Sequence, residues 1–136
     1  MVRRLTFPYE KEPSPLFGSV YRPFVVVELW SKKIGRWVQV GMLVDSGADY
    51  TLLPKVYTEY LGVETKRDAR LFSTMGIGGR EQVLVVHRWL VKIGSWKRWI
   101  PLGFLFRDDI PPLLGRQSCL DKFKVTLHRR RTTFSV

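Results

Sequence analysis

The residues best able to do chemistry are concentrated in one run, Val44-Asp45-Ser46-Gly47-Ala48-Asp49-Tyr50-Thr51-Leu52-Leu53-Pro54. Asp45 follows the apolar stretch Gly41 to Val44, so a carboxylate arrives at the end of a buried strand, where an unpartnered charge is costly. The residues after it suit a site: Ser46 brings a hydroxyl, Gly47 allows a tight turn with close backbone approach, and Ala48 adds no bulk to block a substrate. A carboxylate in that position is fitted to general acid–base work, activating water or giving a proton to a reacting oxygen. A turn-forming aspartate at a strand end has the same letters, so Asp-Ser-Gly alone decides little.

Two further pieces follow in the chain. Gly76-Ile77-Gly78-Gly79 has three glycines in four residues between strand-like segments, and backbone at such a tip can approach a peptide, donate hydrogen bonds and open again. Leu113-Leu114-Gly115-Arg116 ends on an arginine, the side chain suited to a bidentate grip on a carboxylate. In this order and at these separations, the three pieces resemble the retropepsins, the single-lobed aspartic proteases, and the match covers roughly residues 38 to 123.

The resemblance implies an all-β fold, a retropepsin-like closed β-barrel with one short C-terminal helix. It implies that Asp45, Ser46 and Gly47 form the catalytic turn, the Ser46 hydroxyl bonding across a dimer axis. Asp49 and Arg116 would form a structural ion pair, and the glycine-rich tip would be a flap with Ile77 at its end. Ala48, Asp49, Gly76, Ile77, Gly78, Pro111 and Leu113 would contact the substrate. Tyr50 departs from viral members, which carry a second acid there. No tyrosine lies between Leu71 and Gln82, so a pepsin-type flap tyrosine is absent.

Peptide hydrolysis by carboxylates needs two of them, one ionised and one protonated. The chain offers one Asp-Ser-Gly and no Asp-Thr-Gly, so Asp45 has to meet Asp45 of a second copy across a two-fold axis. The expectation is a homodimeric aspartic endopeptidase acting on extended polypeptide without a cofactor. Two rivals share the sequence features: a catalytically silent dimeric binding or assembly module, and a basic nucleic-acid-binding β-barrel.

The remaining segments must position these pieces. Residues 1 to 18 carry Pro8, Pro13 and Pro15 and read as an extended arm, mobile or docked, ahead of a single domain over residues 19 to 136. Ser19 to Leu29 and Trp37 to Val44 have strand composition around Lys32 to Arg36, a hairpin whose second strand ends at Asp45. Thr51 to Leu53 continues as a short strand, Pro54 opens a helical turn through Leu61, and Gly62 closes it. Val63 to Phe72 has no clear pattern. Val83 to Ile93, the turn Gly94-Ser95, and Trp96 to Phe106 make a second hairpin. Arg107 to Pro112 is a turn-rich loop, Gln117 to Phe123 the short helix, and Lys124 to His128 with Thr132 to Val136 a last hairpin around an arginine turn.

At 136 residues, 45% hydrophobic and 13% aromatic, the chain is long enough for one core and too short for a two-lobed enzyme. Its 23 Lys and Arg against 12 Asp and Glu give a net charge of +11. The basic residues are spread along the sequence, with one dense cluster at Arg129-Arg130-Arg131, which favours solubility over a nucleic-acid partner. Cys119 is the sole cysteine, so no intrachain disulfide forms, and it reads as a small buried hydrophobe. His87 and His128 lie far from any acidic cluster or cysteine, so no metal site is expected. The basic start never develops a signal peptide's apolar run and no stretch approaches a membrane span, which gives a cytoplasmic expectation. Trp96-Lys97-Arg98-Trp99 alternates as a two-faced strand does.

Overall fold

The computed structural model describes residues 4–76 and 79–136. Alternation of period two builds most of it, because successive side chains of a strand point to opposite faces. In β4 (Phe24–Ser31), Val25, Val27 and Leu29 are buried while Val26 is 45% exposed. Three N-terminal strands come before it: β1 (Arg4–Pro8), β2 (Glu10–Ser14) and β3 (Gly18–Arg22). β4 pairs antiparallel with β5 (Arg36–Val44), which runs directly into Asp45. Next come β6 (Thr51–Pro54), the short helices α1 (Tyr57–Leu61) and α2 (Thr65–Asp68), and the hairpin of β7 (Arg70–Gly76) with β8 (Gly79–Ile93). The chain continues through β9 (Trp96–Leu105), β10 (Leu113–Leu114), β11 (Lys124–His128) and β12 (Arg131–Ser135).

Seven strands form the main sheet in the order β4-β5-β10-β6-β9-β8-β7, and a further pairing of β4 with β8, through Glu28↔Lys92 and Leu29↔Val91, closes it on itself. The enclosed space is filled by Leu29, Met42, Leu53, Ile93, Ile100, Leu102, Phe104 and Leu114, all fully buried. The chain ends come together in a separate three-stranded sheet, β1-β12-β11. An aromatic row fastens it to the barrel: Trp96 meets Phe123 at 4.9 Å, Phe123 meets Phe134 at 5.3 Å, and Phe134 meets Phe7 at 5.9 Å between ring centroids. These spacings fall in the favourable range for aromatic pairs.

Three expectations are refined. Ser19 to Leu29 is not one strand: the chain breaks at Pro23, which has no N–H to give a ladder, and β3 pairs with β2 in its own hairpin. The C-terminal helix is narrower than Gln117 to Phe123, a 3-10 turn at Leu120–Lys122, because Ser118 takes a left-handed φ of 57° that interrupts helical progression. The unpatterned stretch after Val63 holds α2 and the start of β7. Gly62 ends α1 with φ 69°, and a side chain there would strike the Lys33 backbone nitrogen at 2.7 Å.

Candidate active site

Asp45 leaves β5 and enters a tight turn. The Gly47 N–H donates to Asp45 Oδ1 at 2.9 Å and the Ala48 N–H to the Asp45 carbonyl at 3.1 Å. The first bond is the local side-chain turn that aspartate favours, and it engages Oδ1. Asp45 is half-buried, Ser46 and Gly47 are exposed, and Ala48 is buried. A side chain at Gly47 would sit 3.2 Å from Asp45 Oδ1, so this position is already tight.

The turn is laced to a second segment. Leu43 N–H donates to Pro112 O, Asp45 N–H to Leu114 O, Arg116 N–H to Ala48 O and Gln117 N–H to Asp49 O, at 2.8 to 3.0 Å. β10 also sits between β5 and β6, parallel to the first and antiparallel to the second. Where the segments cross, the Gly115 N–H donates to the buried Thr51 hydroxyl at 3.2 Å. An added Cβ at Gly115 would lie 2.3 Å from the Tyr50 carbonyl, so only glycine fits. Arg116 Nη2 donates to Asp49 Oδ1 at 2.6 Å. Asp45 is thereby held by backbone, while the carboxylate four residues on is engaged by an arginine.

Beside Asp49 lies a cavity of about 550 Å³, lined by Tyr50, Phe72, Thr74, Val83, Val85 and His87 among others. Burial, and then the Asp49 charge, hold the Tyr50 phenol above its ordinary value, so it stays a neutral hydrogen-bonding group. Asp45, Pro111 and Leu113 do not line this cavity. Pro111 is exposed in its loop, and Leu113 is half-buried within the sheet. Gly76 pairs with Gly79 at the end of the β7–β8 hairpin; Ile77 and Gly78 lie outside the described residues. Sequence reasoning passed over Phe72, Thr74, Val83, Val85 and His87. Their signal was alternation, which puts Val83, Val85 and His87 on one face of β8.

A second cavity, about 520 Å³ between Trp30, Lys32, Arg67 and Trp99, shares only His87 with the first. Its acid, Asp68, is engaged by Lys32 at 3.2 Å and Arg67 at 3.6 Å. Cys119 is fully buried and its thiol is pushed up to about 12 by burial, which removes it as a nucleophile. Among the described residues no group of three or more His, Cys, Asp or Glu could hold a metal ion, and no helix is long and apolar enough to cross a membrane.

No protein-family model and no curated protein matches the sequence. Among solved structures the chain is similar to the crystal structure of a retropepsin-like aspartic protease from Rickettsia conorii, with a TM-score of 0.70 and 18% sequence identity, covering 98% of this chain and 99% of that one. The fold of this chain is therefore retropepsin-like: all-β, with the Asp45 turn between β5 and β6.

Proposed function

We propose that the chain is an aspartic endopeptidase that works as a homodimer, with one Asp45 from each copy. The carrying observation is the Asp45 turn on a retropepsin-like fold: a half-buried carboxylate with one oxygen fixed by the Gly47 N–H and its backbone laced to residues 112–117. One ionised Asp45 takes a proton from water as the water attacks the scissile carbonyl. The other, protonated, donates to the carbonyl oxygen; the first then gives its proton to the leaving nitrogen as the carbon–nitrogen bond breaks, and a hydroxyl of the tetrahedral intermediate returns a proton to the second. Ser46, exposed beside it, bonds across the two-fold axis and fixes the two turns relative to each other.

The β7–β8 hairpin, whose ladder ends at the Gly76–Gly79 pair, is the flap over an extended polypeptide. Ala48, Asp49, Pro111 and Leu113 flank the cleaved bond, and Arg116 braces Asp49. On this reading residues 19–136 are the working domain, with the N-terminal arm docked on it through β1, and the enzyme is cytoplasmic. The test is Asp45→Asn, assayed on an unstructured protein. Hydrolysis falls by at least about 10²-fold, while the circular dichroism spectrum and sedimentation stay those of the parent. A mutant with parental activity removes Asp45 from the mechanism.

A further inference from the structure

Independently of the peptidase reading, we propose that the outward face of the terminal sheet binds nucleic acid through its phosphate backbone, without reading base sequence. Strand register makes the face. Arg4 lies opposite Ser135, and Ser135 opposite Lys124; two residues along, Thr6, Thr133 and Thr126 align; two further, Pro8, Arg131 and His128. Residues two apart share a face, so Arg4 and Lys124 stand at two corners and Arg131, with His128 beside it, at the opposite edge, around a central row of hydroxyls. Thr6 and Thr133 are joined at 3.3 Å. The other face carries Leu5, Phe7, Val125 and Phe134 into the core.

The lining of this shallow groove, about 480 Å³, contains Arg4, Lys124, Arg131 and His128 and no acidic side chain. Among the described residues none of these four forms an ion pair, whereas Arg22, Lys32, Lys92, Arg107 and Arg116 all do. The ordinary solvent face of a sheet is polar with both signs mixed; this one has a single sign.

The tip of the β11–β12 hairpin adds a second observation. Arg129 and Arg130 form its two-residue turn with φ 50° and 60°. Both central residues of such a turn are left-handed, a demand that Asn-Gly meets and arginine meets poorly. Two arginines stand where they cost stability, in the turn between His128 and Arg131 at the end of the face. Arg130 is partly occupied, stacked over Tyr21 at 3.6 Å, which leaves Arg129.

The chemistry selects the partner. Arginine, lysine, serine and threonine are the side chains that contact phosphate and sugar oxygens. The face presents no Phe, Tyr or Trp, and the single imidazole of His128 at one corner does not make the row of rings that a single-strand base-stacking platform needs. It presents no apolar wedge for a membrane and no apolar pocket of the kind that anchors a protein partner. A second copy would bring like charge against like charge. Five residues along an antiparallel strand, such as Arg4 to Pro8, reach about 14 Å. One strand of a duplex carries a charge about every 3.4 Å of axis, so the face underlies about four phosphates.

The test is fluorescence anisotropy with a labelled mixed-sequence DNA duplex, its single strand and a matching RNA, titrated over a salt series. The intact chain binds with a steep salt slope, and Arg4→Ala/Lys124→Ala/Arg131→Ala reduces the slope of log affinity against log salt on duplex by about 2 to 3. A variant with the same net charge, Lys11→Ala/Arg36→Ala/Lys66→Ala, keeps the parental slope; equal losses in the two variants overturn the proposal. Arg129→Asn separates binding from folding: it melts no lower than the parent and binds more weakly, and undiminished binding in it counts against the face. Binding to phosphatidylserine vesicles without binding to nucleic acid, or a change in sedimentation as the sole effect of the triple variant, also overturns it.

Discussion

Asp49 and Arg116 meet at 2.6 Å, but their side chains are 81% and 45% exposed, and exposure decides what such a pair contributes. Solvent-screened pairs stabilise by about 0 to 1 kcal/mol, and the Arg116 N–H to Ala48 bond survives loss of the side chain. Arg116→Ala therefore lowers stability by no more than about 1 kcal/mol in urea unfolding, while on the proposed reading it lowers kcat/KM more than this melt implies, because Asp49 loses its orientation beside the substrate. A large stability loss with unchanged activity in the remaining folded protein would make the pair purely structural. The residue types were legible in the sequence; the exposure was not, because it depends on how far β6 and the 113–117 segment stand out from the core.

Among elements, the β7–β8 hairpin is held at its outer half by Arg107. That guanidinium grips Asp109 through two nitrogens, at 2.5 and 2.6 Å, and reaches Glu81 on β8 at 2.6 Å. The clamp ties the hairpin to the loop that carries Pro111. The Arg107 hydrogen bond holds Asp109 below the usual carboxylate range. A depressed carboxyl contributes above its unfolded value, about 3.9, and its contribution is lost as pH falls through the lower folded value. Hydrogen exchange in 72–76, corrected for intrinsic rates, accelerates as pH drops below about 4. Arg107→Ala shows the fast exchange already at neutral pH and loses the acid step. An acid step that persists in that variant would assign it to other groups.

The terminal sheet supplies a different element-level prediction. Thr132 is fully buried, and its hydroxyl has no hydrogen-bond partner. A buried unsatisfied polar group costs about 1–3 kcal/mol, so Thr132→Val, nearly isosteric, stabilises the protein by about 1 kcal/mol and raises its melting temperature by a few degrees. A calorimetric melt that falls instead would mean that the hydroxyl finds a partner in solution. Alternation along β12 marks Thr132 as facing inward, but its lack of a partner emerges only once the neighbouring strands are in place.

For the whole molecule, each copy carries +11, and the proposed dimer brings two such charges together. Specific activity falls on dilution as half-sites separate. Raising salt toward 0.15 M, where the screening length is about 8 Å, tightens association. Sedimentation run beside activity checks both, and an active monomer would end the shared-site reading. The same charge bears on the terminal face, where binding to nucleic acid weakens as salt rises. The two associations thus respond to salt with opposite sign.

The sequence by itself determined what local rules can carry. Alternating Val25, Val27 and Leu29 specify an inward face, Gly62 ends a helix, Gly94-Ser95 turns a hairpin, and Asp45 after an apolar strand marks a carboxylate that needs partners. The order of the three motifs pointed to a retropepsin-like fold. Tertiary structure alone decided which distant residues meet. Gly115 has to be glycine because the Tyr50 carbonyl passes 2.3 Å from where its Cβ would be, a contact across more than sixty positions. Arg4, Lys124 and Arg131 look dispersed in the chain, and the β1–β12–β11 register gathers them onto one face. Pairing between strands far apart in sequence depends on backbone bonds every residue can make, so side-chain identity records the faces of a strand far better than it records the neighbour.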